Sequence, residues 1–133
     1  MNYMLDSCAF IWYIETSDRL PEEIRELIDT EEHMYVSIAT FWEIAIKQST
    51  GKLDLEITMS ELEAKCAENK IAILPLELPY FERIKKLPLI HRDPFDRVII
   101  ATAIEEKLTL ITNDGKIAQY EEVKTLWQTT KED

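Results

Sequence analysis

Short apolar runs alternate along this chain with longer stretches in which apolar residues recur every three or four positions. The runs predict strands at Asn2–Asp6, Met34–Ser37, Ile71–Leu74 and Leu108–Thr112, with Val123–Trp127 as a candidate last strand. The stretches between the runs predict helices, because such spacing places apolar side chains on one face. Strands that alternate with helices are typical of βαβ units, so we expect an α/β fold with a mainly parallel sheet.

Capping residues and breakers set the predicted helix boundaries. Thr58 and Glu61 have the spacing of a capping box, and Asp93 is a natural N-cap before Pro94 at the first helical position. The tail Gln128–Asp133 is expected to fray. The predicted helical segments are Ser7–Ile14, Pro21–Glu32, Ile38–Thr50, Thr58–Asn69, Pro79–Leu87, Pro94–Lys107 and a short piece at Lys116–Gln119.

Composition and charge narrow the class of protein. The chain has 133 residues, 46% of them apolar, which fits a single domain spanning residues 1–133. No run approaches the roughly 18–20 apolar residues of a membrane span, and no secretory leader pattern is seen, so we expect a cytoplasmic protein without a membrane partner. Cys8 and Cys66 are expected to be free thiols. The net charge of −11 argues against a broad basic surface for duplex nucleic acid, and is compatible with a cation-binding pocket or a basic protein partner.

Acidic residues fall on segments that meet one edge of the predicted sheet. Asp6 ends the first strand, Glu43 lies in the helix after the second strand, and Asp114 follows the fourth strand. Asp96 lies in the first turn of the helix that leads into the fourth strand, and joins the others if that helix runs back antiparallel to the strands. Sites in such sheets form at the carboxyl ends of the strands, so we expect these carboxylates to lie together.

Each acid also has a purely structural interpretation. Asp6 and Asp93 can act as helix N-caps, and Asp96 suits the helix dipole. Asp114 belongs to Asn-Asp-Gly, a strong turn sequence. For these four residues the sequence leaves both interpretations open.

Glu43 is harder to explain as a surface residue, because apolar neighbours surround it in Phe41–Ile46. An ion pair with Lys47 at i+4 is the alternative, but exposed pairs of this kind contribute only ~0.3–0.5 kcal/mol. Four carboxylates at one edge would raise one another's pKa unless cations lay among them. Oxygen ligands suit Mg²⁺ or Mn²⁺, and such ions polarise a phosphodiester and lower the pKa of a bound water.

Other site chemistries find little support. His33 and His91 are isolated and are expected to be surface or structural residues, so neither a zinc site nor a nucleophilic triad is indicated. Gly51 and Gly115 are the only glycines, so there is no glycine-rich phosphate loop. Aromatic residues within apolar helical runs are expected in the core rather than as base-stacking platforms, namely Trp12, Tyr13, Phe41 and Trp42. Basic residues near the acids in sequence either contact RNA phosphates or balance the acids, namely Lys47, Lys52, Arg92 and Arg97.

Four motifs then resemble a known family. LDSCAFIW, VSIATFWEIAIKQSTGKL, HRDPFDRVIIATA and LITND, in this order, closely resemble the PIN-domain family, and within it the VapC-like toxins of VapBC-type toxin–antitoxin pairs. The resemblance runs from Met4 almost to Trp127 and so covers nearly the whole chain. It implies a three-layer α/β/α sandwich with a central parallel sheet. It also implies Mg²⁺- or Mn²⁺-dependent endoribonuclease activity, a homodimer, and a cognate antitoxin that often places a basic side chain near the acidic pocket.

The resemblance also implies a role for particular residues. The metal-site acids fall on Asp6, Glu43, Asp96 and Asp114. Asp93 lies in the same motif and is either a further ligand or only a helix cap. Ser7 and Thr112 adjoin the acids and are expected to orient ligands or water.

The hypothesis from the sequence is a metal-dependent ribonuclease that cleaves single-stranded RNA in line. One alternative is a catalytically silent PIN-like scaffold that binds a protein partner or RNA, which an absent acid would favour; all four acids are present. A second alternative is another acid-pocket α/β enzyme or a phospho-accepting signalling domain. It ranks low because Asp6 has no acidic neighbour near the first strand and Lys116 is only loosely placed.

Overall fold

A parallel sheet lies at the centre of the computed structural model, which describes residues 2–127. Within these residues the sheet has five strands, β1 Tyr3–Leu5, β2 Met34–Ser37, β3 Ile71–Leu74, β4 Thr109–Ile111 and β5 Thr125–Leu126. Their order in the sheet is β3-β2-β1-β4-β5, and every neighbouring pair is parallel. This confirms the α/β class and the parallel sheet, while the predicted tail Gln128–Asp133 lies outside the described residues.

The helices follow the predicted pattern with shifts of a few residues at their ends. Between residues 2 and 127 the helices are α1 Ser7–Glu15, α2 Glu22–Thr30, α3 Ile38–Ser49, α4 Met59–Glu68, α5 Leu78–Ile84 and α6 Pro94–Glu106, with a 3₁₀ turn at Ile117–Gln119. The α5 helix differs most from the prediction, since it stops at Ile84 whereas the apolar spacing predicts a helix up to Leu87.

The helices cover both faces of the sheet, and each face has its own core. Consecutive strand residues point to opposite faces, so Met4 packs into the core with α5 and α6, while Leu5 packs into the core with α1, α2 and α4. Residues Leu110 and Ile111 on β4 divide in the same way. This arrangement is the three-layer α/β/α sandwich, and it explains why most strand residues are apolar.

The strand order places a topological switch point between β1 and β4. The chain moves outward from β1 through β2 to β3, then returns to add β4 and β5 on the other side of β1. Leu5 on β1 is paired both with Val36 on β2 and with Ile111 on β4. Crevices outside the carboxyl ends of strands form at such a point, so Asp6 and Asp114 leave the sheet where a site is expected.

The α4 helix begins with the capping box that the sequence predicts. The Thr58 hydroxyl accepts a hydrogen bond from the Glu61 N–H at 3.1 Å, and Glu61 Oε1 accepts one from the Thr58 N–H at 2.9 Å. We expect Thr58→Ala to lower the free energy of unfolding by about 1 kcal/mol, because it leaves an N-terminal amide of the helix without its cap. Urea unfolding measures this, with Ser60→Ala in the same helix turn as the control. Equal losses in the two variants would contradict a capping role.

None of the helices among residues 2–127 is both long enough and apolar enough to span a bilayer.

Candidate metal centre

A cleft of about 290 Å³ opens at the carboxyl edge of the sheet, at the switch point. All four acids that the sequence singled out line it, and so does Asp93. The residues that line the cleft are Asp6, Ser7, Cys8, Trp12, Glu43, Lys47, Asp93, Asp96, Asn113 and Asp114. A larger cavity of about 500 Å³ lies at the opposite edge, against the first residues of β1 and β4, and carries no comparable cluster of acids.

Asp6 is both a helix cap and a member of the acidic cleft. Its Oδ1 accepts a hydrogen bond from the Ala9 N–H at 2.8 Å, and the residue is 4% exposed. Burial raises the pKa of Asp6 to about 6, even though hydrogen bonds from Thr112 and Ala9 lower it, and the charges of Asp114 and Glu43 raise it further. The two interpretations of Asp6 are therefore compatible, since the cap fixes the carboxylate at the mouth of the cleft.

The first turn of α6 presents Asp96 to the same cleft. Asp93 is the N-cap, and its Oδ1 accepts hydrogen bonds from the N–H groups of Phe95 at 2.8 Å and Asp96 at 3.3 Å. The helix begins at the carboxyl edge, as a helix antiparallel to the strands must. Burial raises the pKa of Asp96 to about 7, and repulsion from Asp93, Glu43 and Asp6 adds to the effect while His91 lowers it. The Asp93 cap thus orients the turn that carries Asp96.

Glu43 reaches the cleft from α3 and is 5% exposed. Its Oε2 forms an ion pair with Lys47 Nζ at 2.8 Å, which is the i+4 pair considered from the sequence. Its Oε1 is buried and has no hydrogen-bond partner among the residues that the structure describes. A buried carboxylate oxygen without a partner is costly, and a cation in the cleft would satisfy it. This atom is the clearest sign that the acids fit a metal ion.

Hydrogen bonds within its turn hold Asp114, which also lines the cleft. Its Oδ1 accepts a hydrogen bond from the Lys116 N–H at 2.8 Å, and its own N–H donates to Thr112 Oγ1 at 3.0 Å. Burial alone would raise the pKa of Asp114, but hydrogen bonds from His91 and from backbone N–H groups lower it below the usual range. The Asn-Asp-Gly turn therefore places a charged carboxylate at the rim of the cleft.

His91 is a member of this cluster that the sequence interpretation missed. Its Nε2 lies 2.8 Å from Asp114 Oδ2 and 3.1 Å from Asp96 Oδ2, and its side chain is 13% exposed. The expectation of an isolated histidine was wrong, because the fold brings the loop before α6 against the turn after β4. The signal that could have found it is its place two residues before Asp93, in the same motif as two cleft acids.

The two hydroxyl groups that adjoin the acids in sequence, those of Thr112 and Ser7, have different contacts. The Thr112 side chain forms a hydrogen bond with Asp6 and accepts one from the Asp114 N–H, so it connects the acids that follow β1 and β4. Ser7 Oγ lies 3.1 Å from Thr40 Oγ1, in a buried contact between α1 and α3. Thr112 therefore positions carboxylates directly, while Ser7 joins the two helices beneath the cleft.

The donor atoms suit a hard divalent cation. Carboxylate oxygens dominate the cleft, and Mg²⁺ and Mn²⁺ prefer such ligands. One ligand atom each from His91, Asp96 and Asp114 lie within 4.8 Å of one another. The oxygens of Asp96 and Asp114, together with the Glu43 oxygen that has no partner within residues 2–127, fit the group that the sequence motifs imply.

Comparison with known proteins shows which family the chain belongs to. The family model of the PIN domain matches residues 3–123. The chain belongs to the PIN domain family. A comparison with curated protein sequences finds no significant match.

Solved structures share the fold of this PIN domain at low sequence identity. The VapBC2 structure from Rickettsia felis, bound to a DNA fragment from its promoter, aligns with a TM-score of 0.72 and 19% identity over 95% of this chain and 98% of that chain. The DNA-bound VapBC structure from Salmonella typhimurium gives 0.68 and 18% over 95% and 97%. The FitAcB structure from Neisseria gonorrhoeae gives 0.61 and 20% over 92% and 95%.

The basic residues near the cleft of this PIN domain differ in their freedom to contact a phosphate. Lys47 lines the cleft beside Glu43, and Arg92 is exposed in the loop before α6. Arg97 instead donates to the backbone carbonyls of Ile84, Pro88 and His91 at 3.1–3.2 Å. Its guanidinium group therefore fastens the α5–α6 connection, and a phosphate contact would have to compete with these hydrogen bonds.

One prediction for the aromatic residues was wrong. Phe41 and Tyr13 are buried as expected, but Trp42 is 59% exposed, with its ring edge-on to Phe95 at 5.1 Å. Phe41 and Ile44 occupy the core face of α3, which turns Trp42 outward. Trp12 is partly buried: it packs against the core, as expected, and it also lines the cleft.

Proposed function

We propose that this protein is a divalent-metal-dependent endoribonuclease that cleaves single-stranded RNA, and that it is the toxin of a toxin–antitoxin pair. The observation that carries the proposal is the buried Oε1 of Glu43, which has no hydrogen-bond partner in the described part of the chain and lies in a cleft with the carboxylates of Asp6, Asp96 and Asp114. Such an arrangement is unfavourable unless a cation satisfies it. Membership of the PIN domain family supports the same chemistry.

Asp6, Glu43 and Asp96 would hold one or two Mg²⁺ or Mn²⁺ ions, with Asp114 completing the set and Asp93 acting as the cap of α6. A bound cation supplies Lewis-acid polarisation of the phosphodiester, an activated water and charge neutralisation at the leaving oxygen. The residues themselves fix the carboxylates: Thr112 bonds Asp6, and Asp93 bonds the Asp96 backbone.

None of the side chains that line the cleft is a better nucleophile than a water activated by the cation. Cys8 lines it, but desolvation and repulsion from Asp6 raise the pKa of its thiol to about 11, so the thiolate is scarce at neutral pH. Lys47 would contact a substrate phosphate at the rim, from its position beside Glu43. Without a cation, the clustered carboxylates would repel RNA, so we expect binding of single-stranded RNA to need the metal as well.

The partner assignment rests on charge and on the structural neighbours. The VapBC structures from Rickettsia felis and Salmonella typhimurium share this fold. An acidic cleft in a chain of net charge −11 is complementary to a basic side chain of an antitoxin. The homodimer stays a prediction, and sedimentation of the purified chain measures it. A small antitoxin-like reading frame beside the gene would support the pairing.

The test is cleavage of an unstructured RNA by the purified protein with Mn²⁺ or Mg²⁺, with and without EDTA, beside a DNA of the same sequence. We expect cleavage of the RNA with metal, none in EDTA, and recovery when Mn²⁺ is restored in excess. Cleavage that persists in EDTA would contradict metal dependence. Absence of cleavage from a protein that binds Mn²⁺ and a protein partner would favour the silent scaffold.

A further inference from the structure

We propose that His91 is a positioning residue, whose ring N–H holds the carboxylate of Asp114 beside that of Asp96 in the metal-free protein and keeps Asp114 aimed into the cleft when the cation binds. The orientation of Asp114 with a cation bound rests on the proposed function. The role of His91 in the metal-free protein rests only on contacts within the chain.

The hydrogen bonds around the ring fix where its proton lies. The backbone N–H of Asp93 donates to His91 Nδ1 at 3.3 Å, so Nδ1 is an acceptor. The ring proton is then on Nε2, which faces Asp114 Oδ2 at 2.8 Å and Asp96 Oδ2 at 3.1 Å. Nε2 acts as a donor shared by two carboxylates, and in this tautomer it has no lone pair for a metal ion.

The backbone of His91 is anchored on both sides. Its N–H donates to the hydroxyl of Tyr120 at 2.7 Å, and Tyr120 is 1% exposed. Its carbonyl accepts from Arg97 Nη1 at 3.2 Å. The ring therefore projects from a fixed point in the loop before α6.

Asp114 needs such a support more than Asp96 does. Asp96 lies on a helix whose following residues, from Val98 to Ala103, are buried. Asp114 lies on a turn between the exposed residues Asn113 and Gly115. The shared donor holds the two carboxylates together, because Nε2 lies 2.8 Å from Asp114 Oδ2 and 3.1 Å from Asp96 Oδ2. The metal-free chain therefore already holds the Asp114 carboxylate beside that of Asp96.

Metal-ligating carboxylates are commonly held by such outer hydrogen bonds, and loss of one typically weakens metal affinity by about 10–100-fold. We therefore expect His91→Leu to raise the dissociation constant for Mn²⁺ by about 10-fold or more. His91→Gln retains a side-chain N–H and should recover most of the affinity. His33→Leu, at an exposed histidine outside the cleft, is the matched control and should bind as the unaltered protein does.

The experiment has two independent readouts. Electron paramagnetic resonance of free Mn²⁺ gives the dissociation constant without RNA, and electron spin echo spectroscopy of bound Mn²⁺ reports whether a ¹⁴N ligand is present. Amide hydrogen exchange in the metal-free protein reports whether the turn keeps its geometry. The amide to follow is that of Lys116, whose N–H donates a hydrogen bond to Asp114 Oδ1. We expect exchange at Lys116 to rise roughly 10-fold in His91→Leu, as loss of a hydrogen bond to a charged group would produce.

Each result bears on one of the two proposals. Unchanged exchange at Lys116 in His91→Leu would overturn the positioning role, and so would a ¹⁴N ligand that disappears in His91→Gln, because His91 would then bind the metal itself. Equal loss in the Gln and Leu variants together with a lower melting temperature would reduce His91 to a structural residue. Altered exchange in a protein that binds no Mn²⁺, or that binds Mn²⁺ but cleaves no RNA, would support the positioning role in the free chain while the proposed function fails.

Discussion

Asp96→Asn is expected to reduce RNA cleavage by at least about 10²-fold. This loss is larger than the loss of activity that usually follows when a residue that only hydrogen-bonds a metal ligand is changed. The substitution replaces a carboxylate by a neutral amide on the first turn of α6, where the proposed cation would be held. The fold should persist, because the cap by Asp93 uses the backbone N–H of residue 96. The metal-free variant should be at least as stable near pH 7, since burial and neighbouring acids raise the pKa of Asp96 to about 7 and make its charge unfavourable.

Cleavage rates with Mn²⁺ and melting temperatures in EDTA measure these two effects together. Asp54→Asn is the matched control, because Asp54 is an exposed acid in the connector after α3 and does not line the cleft. Equal losses of activity in the two variants would indicate a general charge effect. Near-complete activity in Asp96→Asn would remove Asp96 from the proposed metal site.

The sequence predicted the location of the acids because that location follows from backbone rules. A residue directly after a parallel strand must emerge at the carboxyl edge, which places Asp6 and Asp114. A helix that leads into such a strand must begin at the same edge, which places Asp96. Glu43 was identified in a different way, because it is an acid among apolar neighbours in the sequence. The structure shows that it is buried.

The contacts of His91 could not be predicted in the same way. Its partner Asp114 lies 23 residues further along the chain, and the contact depends on how the loop before α6 meets the turn after β4. No periodicity encodes the direction of a loop side chain. The bonds from Arg97 to three carbonyls depend on the same loop path.

The exposure of Trp42 had a different cause. The α3 helix is apolar around most of its circumference, so apolar spacing alone cannot say which side faces the core. The structure buries Phe41 and Ile44 and exposes Ile38, Trp42 and Ile46, which follow one another at intervals of four residues. The helix was predicted correctly, while its rotation depended on packing against the sheet.

Several alternatives considered from the sequence turn out to be compatible. Asp6 caps α1 and lines the cleft. Glu43 pairs with Lys47 through one oxygen, while its other oxygen has no hydrogen-bond partner between residues 2 and 127. A short carboxylate side chain that a helix cap or a turn already holds has little conformational entropy left to lose. Local structure therefore orients the groups that the proposed chemistry needs.

The metal-free protein is expected to lose stability as the pH rises from about 4 to about 7. The pKa of Asp6 is raised to about 6 and that of Asp96 to about 7, both from 3.8, chiefly by burial. Between these values the folded chain keeps protons that the unfolded chain has released, so the free energy of unfolding falls with rising pH. The shift at Asp6 alone corresponds to about 3 kcal/mol, at 1.36 kcal/mol per pKa unit. The lowered pKa of Asp114 acts in the opposite sense, but its contribution is lost only below about pH 4.

A divalent cation should reverse this trend, because it binds the deprotonated carboxylates of the folded chain. Urea unfolding at about pH 5 and about pH 7.5, in EDTA and in Mn²⁺, measures both effects. At a Mn²⁺ concentration of about 100 times the dissociation constant at about pH 5, the expected stabilisation at that pH is about 2.7 kcal/mol. The same Mn²⁺ concentration should stabilise the protein more at about pH 7.5, where the metal binds more tightly. Asp96→Asn should flatten the metal-free pH dependence, since it removes one of the two groups with a raised pKa, while Asp54→Asn should leave it unchanged. A metal-free protein that is more stable at about pH 7.5 than at about pH 5 would contradict the unfavourable burial of these charged carboxylates in the folded chain. It would also remove one of the reasons for proposing a cation in the cleft.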